Sequence, residues 1–466
     1  MTYAFTFDAS ACTGCKACQV ACKDKNNLPV GVLWRRVFEV SGGSWQRQGE
    51  AWTTNVFAYN LSLACNHCVH PKCAGVCPTD AFVQRDDGIV YIDESKCMGC
   101  GYCNWACPYS VPQYNPECGH MTKCNFCMDG LAFGLPPACV AACPLRVLDY
   151  AVISEQSAVI SEKYQSLWET PGAEHPFPLP AFSRTQPHLA LKPHAGMLNG
   201  LEKAIANREE VSNSTSRRVP AKGQNHAKNL RDAPLVAFTL LAQMSAGMAV
   251  ASLFFQFSTL NLLTIGLLLG LGGLISFLHL GTKKNAWRAV LHLKKSWLSR
   301  EILTIGLFGA AWLVSFTEYW ILNTVHLLSL TALLGLAVVY SMSQVYRIKA
   351  VPAWNSWRTE AAFFLSAGIL GLTGVASGAG LASAWFPLWV LLAAEAGLAI
   401  SGKNQVNETG YRIWGVCIAL AMVGVSLLSL VPDFVQAWLN LPILLLILSE
   451  QVFGRWLFYE ARVPAL

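Results

Sequence analysis

From Pro234 onward the chain is made of apolar stretches separated by short polar breaks. Eight such stretches are readable, near 234–256, 260–281, 302–320, 322–345, 360–379, 384–401, 411–431 and 436–457. At about 19–25 residues, each is long enough to cross a hydrocarbon core of roughly 30 Å as a helix. The second to fourth contain GLLLGLGGL, LFGAAW and LTALLGLA, small residues at spacings that let helices approach closely in lipid. Eight spans of this kind leave too little polar surface for a soluble helical domain. Residues 233–466 are therefore expected to form an all-α polytopic membrane domain of eight transmembrane helices.

The pattern before Pro234 is different. Residues 1–150 alternate short apolar runs with turn residues, and Gly42-Gly43 and Asp87-Gly88 read as hairpin signals, so this part is α+β. Residues 151–232 are polar and proline-rich, a composition that cannot bury enough apolar surface for a core. They are expected to be a linker with one short helix near 196–208.

Composition sharpens this division. The 466 residues are 53% hydrophobic and 13% charged, outside the usual range of soluble proteins. A net charge of +6, dispersed along the chain, excludes nucleic acid as a partner. The first residues, MTYAFTFDASACTGC, have neither the basic nor the apolar region of a secretory signal. The expectation is that nothing on this chain exports its N-terminus. The twin arginines Arg35-Arg36 and Arg217-Arg218 are read as surface or phosphate-like contacts.

Seventeen of the 18 cysteines fall between Cys12 and Cys143. Cys12, Cys15, Cys18 and Cys22 form one run, and Cys97, Cys100, Cys103 and Cys107 another. Both have the spacing by which bacterial ferredoxins hold cubane clusters. Two variants complete the set: Cys65, Cys68, Cys73 and Cys77, then Cys124, Cys127, Cys139 and Cys143. Sixteen thiolates suffice for four [4Fe–4S] clusters. Two-residue gaps let three successive thiolates converge on one cube, while the fourth points away and ligates a neighbouring cluster. The first 150 residues are thus expected to be an α+β double-ferredoxin-type domain with paired clusters. Zinc and disulfides compete for such cysteines. A structural zinc, however, has no use for a third cysteine at the same short spacing, and disulfide scaffolds belong to short exported chains. Cys118 and Cys417 are read as structural.

These motifs, within ACTGCKACQVACKD, NVFAYNLSLACNHC, DGIVYIDESKCMGCGYCNWACPY, PQYNPECGHMTKC and CVAACPLRVLDY, closely resemble the iron–sulfur subunit of dimethyl sulfoxide reductase. The resemblance covers the whole cysteine domain. It implies that motif one pairs with motif four and motif two with motif three. Cys12, Cys15 and Cys18 would share a cluster with Cys143, and Cys124, Cys127 and Cys139 with Cys22. Likewise Cys65, Cys68 and Cys73 would join Cys107, and Cys97, Cys100 and Cys103 would join Cys77. It further implies a molybdopterin-containing catalytic subunit as partner, with the clusters as a wire to the membrane.

Ionisable groups within membrane spans are functional candidates by default. The densest set is SFLHLGTKKNAWRAVLHLKKSWLSREIL, where His279 and Glu301 flank a basic loop and Arg300 is adjacent. Imidazole and carboxylate can both hydrogen-bond a quinone and exchange its protons. This segment resembles the anchor subunit of dimethyl sulfoxide reductase, whose quinol site uses a histidine and a glutamate matching His279 and Glu301. The implied ligand is menaquinone or ubiquinone. His292, His326 and Glu395 are read as structural, and scattered single histidines argue against haem b.

Orientation follows from charge. Lys283, Lys284, Arg288, Lys294, Lys295, Arg300, Arg347, Lys349, Arg358, Lys403, Arg412, Arg455 and Arg462 all fall at one end of the expected spans. The opposite loops, near 257–259, 321, 380–383 and 432–435, have no Lys or Arg. The positive-inside rule then puts the cluster domain in the cytoplasm, on the inner membrane, whereas the best-known members of the resembled family face outward. Its inward-facing members include a sulfite-oxidising complex, so sulfite oxidation with quinone reduction is the leading expectation. Sulfoxide or N-oxide reduction by menaquinol is the alternative, and an anchor and wire without its own quinone site is a further one.

Overall fold

The structure is a computed structural model that describes residues 2–43, 45–153, 179–180, 184–197, 233–255, 258–324, 326–379, 384–401, 408–428, 430 and 433–461. The described residues fall into two compact units, one before and one after residue 228.

In the first unit β1 (Thr2–Asp8) is the middle strand of a three-stranded sheet. It pairs antiparallel with β10 (Leu148–Ile153) and parallel with β11 (Leu189–Lys192). The Phe7↔Leu148 pairing joins the segment leading to Cys12 with the segment leaving Cys143, so the two ends of the cysteine region meet. Three hairpins do the same for other motifs. β2 (Arg36–Gly42) pairs with β5 (Phe57–Leu63), setting Arg36 opposite Leu63, two residues before Cys65. β6 (Phe82–Gln84) pairs with β7 (Val90–Ile92) around Gly88, whose φ is +80°, bringing Cys77 back towards Cys97. β8 (Gln113–Asn115) pairs with β9 (His120–Thr122), while β3 (Trp45–Gln48) and β4 (Ala51–Thr54) form an exposed ribbon. The core gathers Phe5, Phe7, Leu61, Phe126, Leu148 and Leu191, with Phe5 stacked on Phe126 at 4.2 Å.

Part of the stretch expected to be a linker belongs to this unit. Leu189, Leu191 and Met197 are buried in its core, because the short run LALK lies along β1. Proline-rich surroundings hide that run in the sequence. The helix expected near 196–208 lies mostly outside the described residues.

The second unit is helical: α6 (Ala233–Ala251), α7 (Thr259–Ser276), α8 (Trp297–Leu322), α9 (Leu328–Tyr346), α10 (Trp357–Ala379), α11 (Trp385–Ser401), α12 (Glu408–Leu428) and α13 (Asp433–Glu460). Among the described residues seven helices are long and apolar enough to cross a membrane. The eighth, over Trp385–Ile400, is a shorter apolar helix, so the expectation of eight crossings is met for seven. Glycine sets the closest approach: a Cβ on Gly247 of α6 would lie 1.8 Å from the Ala367 carbonyl oxygen of α10. Two expected boundaries move. α8 starts five residues before the apolar stretch, taking Arg300 and Glu301 into its first turns. α9 starts at Leu328, because the Glu318 carboxylate accepts from the His326 and Leu327 N–H groups and holds the preceding residues in a turn.

Candidate functional site

The four cysteine motifs share one backbone device. The residue just before the second cysteine has a positive φ in each: Gly14 (70°), His67 (42°), Gly99 (75°) and Phe126 (63°). A left-handed residue there curls the loop so that successive sulfurs face inward, and glycine adopts it without steric cost. At Gly14 a Cβ would lie 2.4 Å from Asn60 Oδ1, so any other residue would have to displace the Asn60 side chain as well as adopt the left-handed φ. The third cysteine of each motif rides a short helix: α1 (Ala17–Lys25), α2 (Lys72–Val76), α3 (Tyr102–Ala106) and α5 (Ala138–Ala141). A one-turn helix α4 (Met128–Leu131) follows Cys127.

Folding brings the last cysteine of each motif to the first three of another. Cys12, Cys15, Cys18 and Cys143 line one cavity, with about 350 Å3 of empty space. Cys65, Cys68, Cys73 and Cys107 line a second, of about 380 Å3. Cys22 is an electrostatic neighbour of Cys139 and Cys127, and Cys124 of Cys22 and Cys139. Cys77 is a neighbour of Cys97 and Cys103. Among the described residues no three His, Cys, Asp or Glu side chains are grouped so as to hold a single metal ion. The sulfurs instead surround space, as a polynuclear group requires.

The electrostatics match an anionic group at these places. As free thiols these cysteines resist ionisation: burial pushes Cys22 and Cys68 up to about 12 and Cys107 up to about 11. Bound iron reverses that logic, because a metal cation deprotonates the thiol it binds. The protein also supplies buried cations. Arg35 is only 2% exposed, and its Nε and Nη2 have no hydrogen-bond partner. Burial alone would lower its pKa, but the sulfurs of Cys139, Cys124, Cys18 and Cys22 make the net shift upward. Two unpartnered nitrogens on a buried guanidinium are costly unless something anionic meets their N–H groups, and the inorganic sulfides of clusters would. Lys123 is likewise buried; its ammonium donates to the Cys65 sulfur (3.4 Å), to the Cys124 carbonyl (3.1 Å) and to the Val90 carbonyl. Arg36 donates to the carbonyls of Tyr109 (3.1 Å) and Ser110 (2.9 Å), beside Cys107.

Sequence reasoning missed these three cations and put Arg35 and Arg36 on the surface. The structure corrects this, since both are buried: Arg36 lies in β2 opposite Leu63, and Arg35, just before that strand, donates to Ser62 Oγ (3.2 Å). The available signal was a charged pair inside an otherwise apolar run, LPVGVLWRRVF. Cys118 is exposed, so it is not a packing residue, and it neighbours Cys97.

In the second unit His279 closes a 3-10 turn, Phe277–His279, at the end of α7. Glu301 lies in the first turns of α8, 4% exposed. Both are at the end of the bundle that carries the basic connections. Arg300 is committed elsewhere: its Nε and Nη2 donate to the carbonyls of Leu293 (2.8 Å) and Lys294 (2.9 Å), and its guanidinium lies 4.2 Å over the Trp297 ring. It ties the connecting loop to α8. Tyr346 at the end of α9 is an electrostatic neighbour of Glu301.

Cage-forming cysteine loops followed by a bundle of membrane-length helices define an iron–sulfur electron carrier with its own membrane anchor. Residues 56–153 match the family described as a 4Fe-4S dicluster domain, and residues 227–391 the family described as the DMSO reductase anchor subunit (DmsC). One component of the anaerobic dimethyl sulfoxide reductase of Escherichia coli (strain K12) is 47% identical over 193 residues, 41% of this chain and 89% of that protein. The probable anaerobic dimethyl sulfoxide reductase component YnfG of the same strain is 45% identical over 214 residues, covering 45% and 98%. A tetrathionate reductase component of Salmonella typhimurium (strain LT2) is 43% identical over 141 residues, covering 30% and 54%. This polypeptide belongs to the dimethyl sulfoxide reductase family, as its iron–sulfur subunit and its anchor joined in one molecule. It is an integral membrane, electron-transfer subunit of an oxidoreductase and carries [4Fe–4S] clusters.

Proposed function

We propose that this chain passes electrons between a molybdopterin-containing catalytic subunit and the quinone pool through four [4Fe–4S] clusters. The observation that carries the reading is the meeting of each motif's last cysteine with the first three of another, in pairs one with four and two with three. Cys12, Cys15, Cys18 and Cys143 would hold one cluster, and Cys124, Cys127, Cys139 and Cys22 its partner. Cys65, Cys68, Cys73 and Cys107 would hold the third, and Cys97, Cys100, Cys103 and Cys77 the fourth. The clusters supply one-electron transfer. The protein fixes the thiolates, excludes water and sets Arg35 and Lys123 against the sulfur.

At the membrane, His279 and Glu301 would bind and exchange protons with a quinone headgroup, with Arg300 holding the loop beside them. The basic residues at this end of the bundle favour a cytoplasmic position for it, and for the cluster unit, which enters α6 from that end. For the reaction itself, relatives named as dimethyl sulfoxide and tetrathionate reductase components favour reduction of an oxidised sulfur compound by quinol. Sulfite oxidation with quinone reduction has orientation alone in its favour. Identifying the large subunit that copurifies, then comparing viologen-dependent sulfoxide reduction with sulfite-dependent dye reduction, separates the two.

The test of the quinone site is Glu301→Gln, which keeps the shape and removes a proton acceptor. Quinone-coupled turnover of the complex should fall at least tenfold, with iron content unchanged and dye-coupled turnover at the catalytic subunit retained. Normal quinone activity in both Glu301→Gln and His279→Ala would reject the site and leave an anchor and wire that hands electrons to another carrier.

A further inference from the structure

The C-terminal half of the bundle holds buried charge for which the His279–Glu301 reading has no use. Glu395 on α11 and Glu450 on α13 are 3% and 1% exposed. Gln451 joins them, its Nε2 donating to one carboxylate oxygen of each at 2.8 Å. The Trp414 indole N–H donates to the other Glu450 oxygen at 2.5 Å. Arg455, one turn further along α13, is 5% exposed and donates to Gln243 Oε1 (2.7 Å) and Ser366 Oγ (3.4 Å). Its guanidinium lies 3.9 Å over the Phe363 ring. Apolar side chains of similar volume would hold these helices together at least as well. Two carboxyl groups and a guanidinium at membrane depth therefore point to a role beyond packing.

These groups face open space. A cavity of about 700 Å3 lies among α10, α11, α12 and α13, at the end carrying the basic connections. Its walls combine Glu395, Gln451, Arg358 and Arg455 with the rings of Tyr411, Trp414 and Phe458. The indole is seated by the bare backbone of α13: a Cβ on Gly454 would fall 2.6 Å from the Trp414 ring. Aromatic walls with a few convergent polar groups are the usual lining of a small-molecule pocket.

The chemistry of the walls narrows the occupant. Aromatic faces accept a flat ring. The Gln451 amide and the Arg455 guanidinium can donate to carbonyl oxygens, and the Glu395 carboxyl can exchange a proton. Of the three charged groups in the lining only Glu395 and Arg455 are buried, and these opposite signs disfavour a strongly charged ligand between them, while Arg358 is partly exposed in the first turn of α10. A neutral, lipophilic ring with two acceptor oxygens meets all these conditions. We propose that this cavity is a second quinone-headgroup site, separate from the one formed by His279 and Glu301. The inference rests on the reading that the chain works with quinone, but not on where the first site lies. Except for Ala353 and the α10 wall, it is built from residues outside the stretch that matches the anchor family.

The experiment is a binding titration of the purified full chain in detergent with a fluorescent hydroxyquinoline N-oxide, a quinol analogue. Two analogues per chain are expected. Ala362→Phe, which fills the cavity from α10, should leave one, and Glu395→Gln, nearly isosteric, should weaken the same site at least tenfold. Glu301→Gln should remove the other. Iron content and the thermal melting of each variant establish that it is folded, and Glu395→Gln decides the matter if Ala362→Phe is not. One bound analogue that is lost in Glu301→Gln and indifferent to Ala362→Phe and Glu395→Gln overturns the second site and leaves the first. One that is lost in Ala362→Phe and untouched by Glu301→Gln keeps the cavity and overturns the first. No binding in any form of the protein overturns both.

Discussion

Arg35→Met should lower the midpoint potentials of two of the four clusters by about 90 mV and leave the other two nearly unchanged. Methionine fills much of the arginine's volume but removes a fully buried positive charge that neighbours Cys139, Cys124, Cys18 and Cys22. Those cysteines come from motifs one and four, which the proposed pairing gives to one pair of clusters. At an effective dielectric of about 20, unit charges interact by about 4 kcal/mol at 4 Å and about 2 kcal/mol at twice that distance. An added electron is spread over a cubane, so about 2 kcal/mol is the appropriate scale. At 59 mV for each tenfold change, or 1.36 kcal/mol, this is roughly 90 mV for a one-electron couple. The sign is fixed: without the cation, adding an electron is harder and the potential falls.

The assay is a redox titration of the purified chain followed by electron paramagnetic resonance. Arg35→Lys keeps the charge and should shift the same two potentials by less than half as much, which also serves if the methionine variant assembles poorly. Four midpoints within about 20 mV of the parent protein, or four shifted alike, would refute the placement of Arg35 between one pair of clusters, since the Coulomb scale demands a larger and selective change.

Metal analysis of anaerobically purified chain should give about sixteen irons, and Cys118→Ser should not change that number; a loss of about four irons would make Cys118 a ligand. Gly371→Leu should destabilise the bundle by about 3 kcal/mol in thermal or detergent unfolding, because a Cβ there would lie 2.2 Å from the Gly247 carbonyl carbon and force α6 and α10 apart. An unchanged transition would mean that these helices do not cross at that point. Thiol reagents and proteases applied to intact cells should not reach residues 1–228, and labelling from outside would reverse the topology.

The cysteine motifs stand out in the sequence because ligation to a fixed cube prescribes such spacing. The loop conformation was legible only in part. Gly14 and Gly99 announce a left-handed residue before the second cysteine, but His67 and Phe126 adopt the same φ without any such signal. Arg35 and Arg36 were misread because their partners are distant in sequence, Ser62 for Arg35 and the Tyr109 and Ser110 carbonyls for Arg36, and no local pattern encodes that. Hydropathy placed the membrane helices well but their ends poorly. Helix formation tolerates Arg300 and Glu301, whereas an apolar window does not, so α8 begins before its apolar stretch does. The run LALK was lost among prolines for the opposite reason, being too short to register until β1 supplied a partner.

One physical rule accounts for what both units hide. A charge taken out of water must be met by a partner, or its burial costs more than packing can return. In the first unit the buried cations Arg35 and Lys123 are aimed at sulfur, and Arg35 keeps Nε and Nη2 without any protein acceptor. In the second unit Arg455 is set against Glu395, and Gln451 bridges Glu395 to Glu450. The unmatched residue of charge differs between them. Around the cysteines it is positive and enclosed, which suits a resident anionic group that never leaves. In the bundle the opposing signs share the wall of a cavity, which suits a neutral molecule that arrives, exchanges protons and departs. Burial and sign together separate a fixed cofactor from a mobile carrier, and they assign the first to the cysteine unit and the second to the helices.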